Sequence, residues 1–294
     1  MIKKKLTFWA CDYSGKTGEG NLSRKFIHQN YKGKKIQIKT INAKNFFKHK
    51  YIIPFIGIIN CWKYFFKNHN VGYLNYLPLW NFLIFFLLPP KTCLGPITGG
   101  SLYNKKNKIN YLIRKFFFPV FYKLSELIIN LRFENNLIFS TDLLKKYLSK
   151  RTLKKSEFNF VLKNINFKKK RKIKDIDFLI YHKIHNNKSL FFDHNLIYHL
   201  TKLNLSIFII GDKLNIKGVK NLGYVNKKKL SILQSRSKYS LCSGENIYSL
   251  FVLECITNHV KIIINKNYMN KVNFFKKYFI TLDKLKLISK KLKM

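Results

Sequence analysis

Acidic residues are scarce in this sequence: 13 Asp and Glu stand against 57 Lys and Arg over 294 residues, a formal charge of +44. That imbalance lies outside the ordinary range of a soluble enzyme and creates a field that attracts polyanions. Nucleic acid, anionic lipid headgroups and a phosphorylated small substrate all fit it, and composition does not choose among them. Codon bias explains part of the excess, since Lys, Asn, Ile, Phe and Tyr, the residues of AT-rich codons, are all abundant.

Cysteine is sparse and scattered. Cys11, Cys61, Cys93, Cys242 and Cys255 form no C-x-x-C pair, which excludes the usual zinc and dithiol spacings, and no other metal-ligand cluster is visible. The five read as reduced thiols of a cytoplasmic protein. Long apolar runs are missing as well. The stretch 51–66 is broken by Pro54 and Lys63, and the unbroken part of 77–90 covers only 79–88. Spanning a bilayer takes roughly 20 residues, so neither is a transmembrane helix, although each can present an apolar, aromatic face to a membrane surface beside lysines. The opening MIKKK followed by LTFWAC imitates a signal peptide, but its apolar part stops at Asp12 and is read as a first strand. No G-x-G-x-x-G and no internal repeat is present.

What is present is a well-packed globular composition, 47% hydrophobic and 16% aromatic. The length predicts two α/β lobes of about 150 residues each. The first half opens as strand, Gly-rich loop and helix (6–11, 12–20, 21–29). A strand at 35–40, a helix within 44–66, a strand at 71–76 and a helix at 79–88 follow. The turn-rich GPITGG at 95–100 reads as a loop, 107–130 as a long basic amphipathic helix, and 136–140 as a strand. Thr141 and Asp142 are placed to cap a helix over 142–149. The expected organisation is an N-terminal lobe over 1–155, a basic linker over 156–174 and a C-terminal lobe over 175–294. In that second lobe strands (176–181, 205–210, 219–225, 238–242, 260–264) alternate with helices (189–203, 227–235, 247–258). This alternation predicts a parallel, doubly wound sheet.

Ligands of such sheets bind outside the carboxyl ends of the strands. After the strand ending at Tyr181 comes HKIHNNK, whose Lys183 and Lys188 can meet a diphosphate as point charges. The Gly-Asp pair after Ile210 reads as a plain tight turn. After Cys242 comes SGENIYSLFVLE, which carries two of the 13 acids, Glu245 and Glu254. There a strand meets a helix N-terminus, whose free N–H groups suit phosphate or a sugar hydroxyl, and a carboxylate at 254 can accept from the two hydroxyls of a ribose.

Over 175–266 these elements resemble the C-terminal lobe of GT-B glycosyltransferases, in particular the retaining family 4, or group 1. The likeness is carried by Tyr181-His182-Lys183 to Lys188, Gly223-Tyr224-Val225, and Ser243-Gly244-Glu245-Asn246 through Leu253-Glu254-Cys255-Ile256. The resemblance implies two Rossmann-like lobes with a cleft between them. It implies that Lys183 and Lys188 neutralise a nucleotide-sugar diphosphate, that Glu254 holds the ribose, and that the loop from Glu245 to Ser249 meets the transferred sugar. It further implies transfer without a metal or other cofactor, with retention, to a glycan or lipid-linked acceptor in cell-surface polysaccharide synthesis at the inner membrane face. The sequence departs from the family in having Lys183 where Arg is usual. Its two glutamates stand nine apart, one more than the common spacing, so either Glu245 or Asn246 fills the first acidic position. In the first half, CDYSGKTGEGNLSRKF is like the family's glycine-rich first loop, with Gly18 and Gly20 expected at the cleft; no acceptor-lobe histidine is identifiable, and the catalytic residue is unassigned. A nucleotide-sugar epimerase of the same architecture and a basic nucleic-acid-binding protein are the alternatives. The second is disfavoured because the lysines are spread through every segment and no nucleic-acid motif occurs.

Overall fold

A computed structural model of the chain describes residues 5–15, 17–40, 52–99, 108–171, 173–184, 194–203, 205–242, 246–281 and 283. It divides into two compact units, Met1–Lys163 and Asn164–Met294. The division falls inside the basic 156–174 stretch.

The first unit contains β1 (Leu6–Ala10), α1 (Gly18–Asn30), β2 (Ile36–Thr40), α2 (Ile53–Phe66), β3 (Asn70–Tyr73), β4 (Leu77–Pro78) and α3 (Phe82–Leu87). It continues with β5 (Cys93–Leu94), β6 (Ile97–Thr98), α4 (Lys108–Arg132), β7 (Leu137–Ile138), α5 (Lys150–Lys154) and β8 (Ser156–Glu157). Its main sheet is parallel with the order β2-β1-β3-β5. The alternation of β1 sends Phe8 and Trp9 to opposite faces. Phe8 meets Tyr31, just past the end of α1, edge-on at 4.9 Å, and Trp9 lies under α2, where Gly57 leaves room for its ring. Both faces are therefore covered by helices, and β1 is buried throughout its last four residues. Pro54 stands at the start of α2, where a missing N–H costs nothing.

Two expectations change here. GPITGG is not simply a loop: Ile97–Thr98 pair with β4 and Ile97 bridges to Phe139. No α-helix runs over 142–149, where a single 3-10 turn occupies Lys145–Tyr147. The helix begins instead at α5, because Ser149 caps it by accepting from Thr152 N–H and a distant carboxylate, Glu126 on α4, accepts from Ser149 N–H at 2.6 Å.

Glu126 is nearly buried. Burial by itself would raise its pKa, but hydrogen bonds from Ser149, Thr152 and the Lys123 ammonium outweigh that and hold it at about 2 against an ordinary 4.5. A carboxyl depressed on folding stabilises the protein above its unfolded pKa, and the stability is lost as pH falls toward its folded value. The window is thus pH 4.5 down to about 2. The linked stability is about 3 kcal/mol. In Glu126→Gln, urea denaturation should show that this acid-dependent component has disappeared and that stability at neutral pH has dropped by a comparable amount.

The second unit runs β9 (Ile176–His182), α6 (His194–Thr201), β10 (Ile207–Gly211), β11 (Val219–Asn221), α7 (Lys227–Arg236), β12 (Ser237–Leu241), α8 (Leu250–Thr257), β13 (Lys261–Ile264) and β14 (Phe279–Thr281). All six strands are parallel, in the order β11-β10-β9-β12-β13-β14. Numbered by their own sequence within the unit, that order is 3-2-1-4-5-6, the arrangement of dinucleotide-binding sheets. Phe178 and Ile180 pack with Leu196, Ile197 and Leu200 of α6, while Leu179 packs with Leu233 of α7. Helices on both faces explain why β9 and β10 read as almost unbroken apolar runs. Among the described residues no helix is long and apolar enough to cross a membrane.

Candidate functional site

In the second unit the connections leaving β9 and β12, which lie side by side, go to opposite edges of the sheet. A crevice forms at the carboxyl ends of strands where connections part in this way. Four of the residues nominated by the sequence, Lys183, Asn246, Ser249 and Glu254, follow these strand ends. Lys183 follows β9 directly and is exposed, Asn246 and Ser249 lie between β12 and α8, and Glu254 is on the second turn of α8. Lys188 and Glu245 lie outside the described residues.

The end of β9 is tied down by Asp212, just past β10. Asp212 N–H donates to His182 O at 2.9 Å, its Oδ2 accepts from Ile184 N–H at 2.6 Å, and its Oδ1 accepts from the Tyr224 hydroxyl at 2.5 Å. His182 is buried, and its Nδ1 lies 3.0 Å from Asp212 O. The Tyr224 hydroxyl bond, followed by the Ile184 N–H, draws the Asp212 carboxyl below its ordinary range, and the same bond pushes the Tyr224 phenol up to about 12. Asp212 is therefore a fixed anion that sets the exit angle of the chain carrying Lys183. The Tyr224 ring remains 69% exposed at that edge. In Tyr224→Phe, NMR titration of side-chain carboxyls should show the Asp212 midpoint moving up toward 3.8, its ordinary value, with little change in melting temperature, since surface polar pairs contribute little.

Gly211 makes this junction possible. It has φ +96°, and a Cβ there would lie 2.2 Å from His182 O. The Gly-Asp pair is thus a turn, as read from the sequence, but it is also the joint that sets the strand ends. Asp212 and Tyr224 were missed as a pair; Gly223-Tyr224-Val225 entered only through its family resemblance.

On the other side, Cys242 Sγ donates to Ile247 O at 3.6 Å, and Tyr248 Oη accepts from the N–H groups of Asn273 and Phe274 at 2.9 and 2.7 Å. These anchors hold the approach to α8. Ser249 caps that helix, its Oγ accepting from Val252 N–H at 3.3 Å, and no acid occupies the first turn. The helix end consequently keeps its partial positive charge for an anion. Glu254 is half-buried, and among the described residues its carboxylate makes no ion pair or hydrogen bond, although its backbone carbonyl accepts from Thr257 and Asn258. Side chains on a helix lean toward its N-terminus, so a carboxylate at 254 is directed back toward the strand ends. Burial pushes the thiols of Cys11, Cys61, Cys242 and Cys255 up to about 12, which makes them poor nucleophiles at neutral pH.

The first unit has a switch point of its own between β1 and β3, and it is built differently. Asp12 N–H donates to Asn75 Oδ1 at 3.1 Å, Asp12 Oδ1 accepts from Ser14 N–H at 2.7 Å, and Oδ2 accepts from the Thr17 hydroxyl. Thr17 caps α1 by accepting from Gly20 N–H at 2.9 Å. Gly20 is buried beneath this loop, where a Cβ would come within 2.0 Å of Ser14 O, whereas Gly18 is exposed with open space about it. Gly20 is accounted for by loop packing on α1. Asp12 and Glu19 share this end with Arg24, whose Nε donates to Tyr13 O at 2.8 Å and whose charge adds to the Thr17 and Ser14 hydrogen bonds that, against burial, draw the Asp12 carboxyl down, so acid and base offset each other here.

No family model matches the chain, and no curated protein matches it in sequence. Solved structures resemble it. HepE of Anabaena, in complex with UDP and glucose, aligns at 10% identity with a TM-score of 0.53, over 90% of this chain and 81% of that one. The lipopolysaccharide outer core galactosyltransferase WaaB in its apo form aligns at 11% identity with a TM-score of 0.43, over 90% and 83%. E. coli heptosyltransferase WaaC with ADP aligns at 8% identity with a TM-score of 0.34, over 94% and 92%. On the likeness to HepE, the chain has the fold class expected from its sequence, two α/β units on parallel sheets in the GT-B manner.

Proposed function

We propose that this chain is a glycosyltransferase that takes a sugar from a nucleotide-sugar donor and passes it to a glycan or lipid-linked acceptor in cell-surface polysaccharide synthesis. The observation that carries the reading is the switch point of the second unit. An exposed lysine, a helix N-terminus without a first-turn acid, and a half-buried carboxylate without a hydrogen-bond or ion-pair partner among the described residues follow the carboxyl ends of β9 and β12. The structural resemblance to a protein solved with UDP and glucose supports it.

In this proposal Lys183 and Lys188 neutralise the diphosphate, the amides at the start of α8 share its charge, and Glu254 accepts from the ribose hydroxyls. Asn246, Glu245 and Ser249 border the sugar, with the Ser249 hydroxyl proton free to be donated while its oxygen caps α8. The departing nucleoside diphosphate is then stabilised by fixed cations and dipoles, the logic of oxyanion stabilisation, so transfer proceeds without a metal or other cofactor, while retention at the anomeric carbon is carried over from the family resemblance. The first unit serves the hydroxyl-bearing acceptor. A lipid-linked acceptor places the enzyme at the inner face of the plasma membrane.

Thermal unfolding in the presence of UDP, GDP, ADP, CMP and their sugars tests the reading. One nucleotide and its sugar should raise the melting temperature selectively, by mass action on the folded state. No shift with any of them, together with tight and steeply salt-dependent oligonucleotide binding, would replace it with a nucleic-acid-binding function.

A further inference from the structure

Helix α4 exposes apolar side chains on the side opposite the one it buries. Its inward side buries Tyr122, Ser125, Glu126 and Ile129. On the other side Ile109, Leu112, Phe116, Val120, Leu127 and Leu131 are 72%, 50%, 58%, 56%, 57% and 76% exposed. At 3.6 residues per turn these six fall within an arc of about 100°, and they run for about 33 Å along the axis. A helix on the surface of a water-soluble unit ordinarily turns charge outward here. The apolar ground continues around α4 through Phe117, 56% exposed, to Phe121, whose ring lies 6.4 Å from it and 5.6 Å from Phe82 of α3, beside the exposed Leu83 and Phe86, and Trp80 just before α3 is 38% exposed. A contiguous patch of this extent signals a binding surface.

We infer that the outer face of α4, with the adjoining part of α3, is a docking surface on which the first unit rests against an anionic lipid bilayer. Charge selects this occupant. Lys115 is exposed beside the stripe with its ammonium 5.2 Å from the Phe116 ring, Arg132 at the far end of α4 lies over Phe86 at 5.7 Å, and the single acid of the helix, Glu126, faces inward and pairs with Lys123 at 3.0 Å. Apolar side chains flanked by cations match an acyl layer beneath anionic headgroups, and Trp80 is an interfacial residue type. A second copy of the chain fits poorly, because two-fold pairing of this face would oppose like charges on molecules of net charge +44. The packed inward side keeps α4 in the plane of the surface, which agrees with no described helix being able to span.

The test uses the full chain with vesicles of phosphatidylglycerol and phosphatidylcholine, and with phosphatidylcholine alone. It compares wild type with Phe116→Gln/Phe117→Gln/Val120→Gln, which keeps the charge and alters only exposed side chains. Wild type should stay on the anionic vesicles at high salt. The variant should partition at least roughly tenfold more weakly there, since bare charge attraction is screened while apolar burial is not. Wild-type fluorescence should be quenched by lipids brominated in their acyl chains, and Trp80→Phe should remove that quenching. Equal retention of wild type and variant at high salt, or no quenching of wild type, overturns the inference. So does a wild-type dimer, seen by sedimentation, that the variant dissociates while vesicle binding is unchanged. Should the triple variant lose its helical circular dichroism, Leu127→Gln/Leu131→Gln replaces it, and the wild-type quenching still decides. Vesicle binding requires no donor, so failure here leaves the nucleotide titration untouched, and the converse holds.

Discussion

On the proposed function, Glu254→Ala is expected to weaken binding of the nucleotide donor by roughly a hundredfold, as two hydrogen bonds to a charged acceptor are lost, and to leave the melting temperature of the free protein essentially where it was. Both halves of that result follow from the same facts. The carboxylate is half-buried without a hydrogen-bond or ion-pair partner among the described residues, so its removal breaks no polar contact described there, and alanine suits the helix that carries it. Titration calorimetry with the nucleotide selected by the thermal panel measures the first half, and thermal unfolding without ligand measures the second. Unchanged affinity in a well-folded variant would remove Glu254 from the site. A lowered melting temperature without ligand would give it a structural role instead.

Gly211→Ala is expected to destabilise the second unit by about 3 kcal/mol, combining the cost of a left-handed backbone for an L residue with that of a forced core rearrangement. The clash is with backbone, since the new Cβ would lie 2.2 Å from His182 O, and the strand end that carries Lys183 must move to relieve it. Donor affinity should therefore fall together with stability. Gly218→Ala is the control. That glycine also has a positive φ, +90°, but its new Cβ meets only the Thr201 side chain, at 3.3 Å. There the cost should be about 1 kcal/mol of conformational strain, with no loss of donor binding. Urea denaturation and calorimetry of the two variants separate these effects. Equal costs at the two positions would show that the junction between β9 and β10 has slack and does not set the site.

Where both faces of a strand are covered, the chain announces it. Leu179-Ile180 in β9 and Ile209-Ile210 in β10 sit in apolar runs bounded by polar turns, and the alternation of such runs with helices declares a parallel α/β architecture without further information. The crevice of the second unit was legible for the same reason, because ligand-binding loops follow strand ends and the unusual residues of the chain, Lys183 and the segment leading to Glu254, stand there. Short elements were not legible. The strand Phe279–Thr281 exists by pairing with β13, and α5 starts where it does because Glu126, 23 positions away, accepts from Ser149 N–H. Local pattern carries no trace of such partners.

Periodicity, composition and the turn residues therefore determined the fold class and the two-part organisation, and directed attention to the loops after β9 and β12. Tertiary structure alone decided the strand order that makes β9 and β12 neighbours, and the bonds of Asp212 with His182 O and Ile184 N–H that hold the end of β9. It also decided that the apolar stripe of α4 faces outward while its acid faces in. The physical reason is one of range. A residue's burial period is written in its neighbours along the chain, but which element lies beside it is settled by packing among segments tens of residues apart.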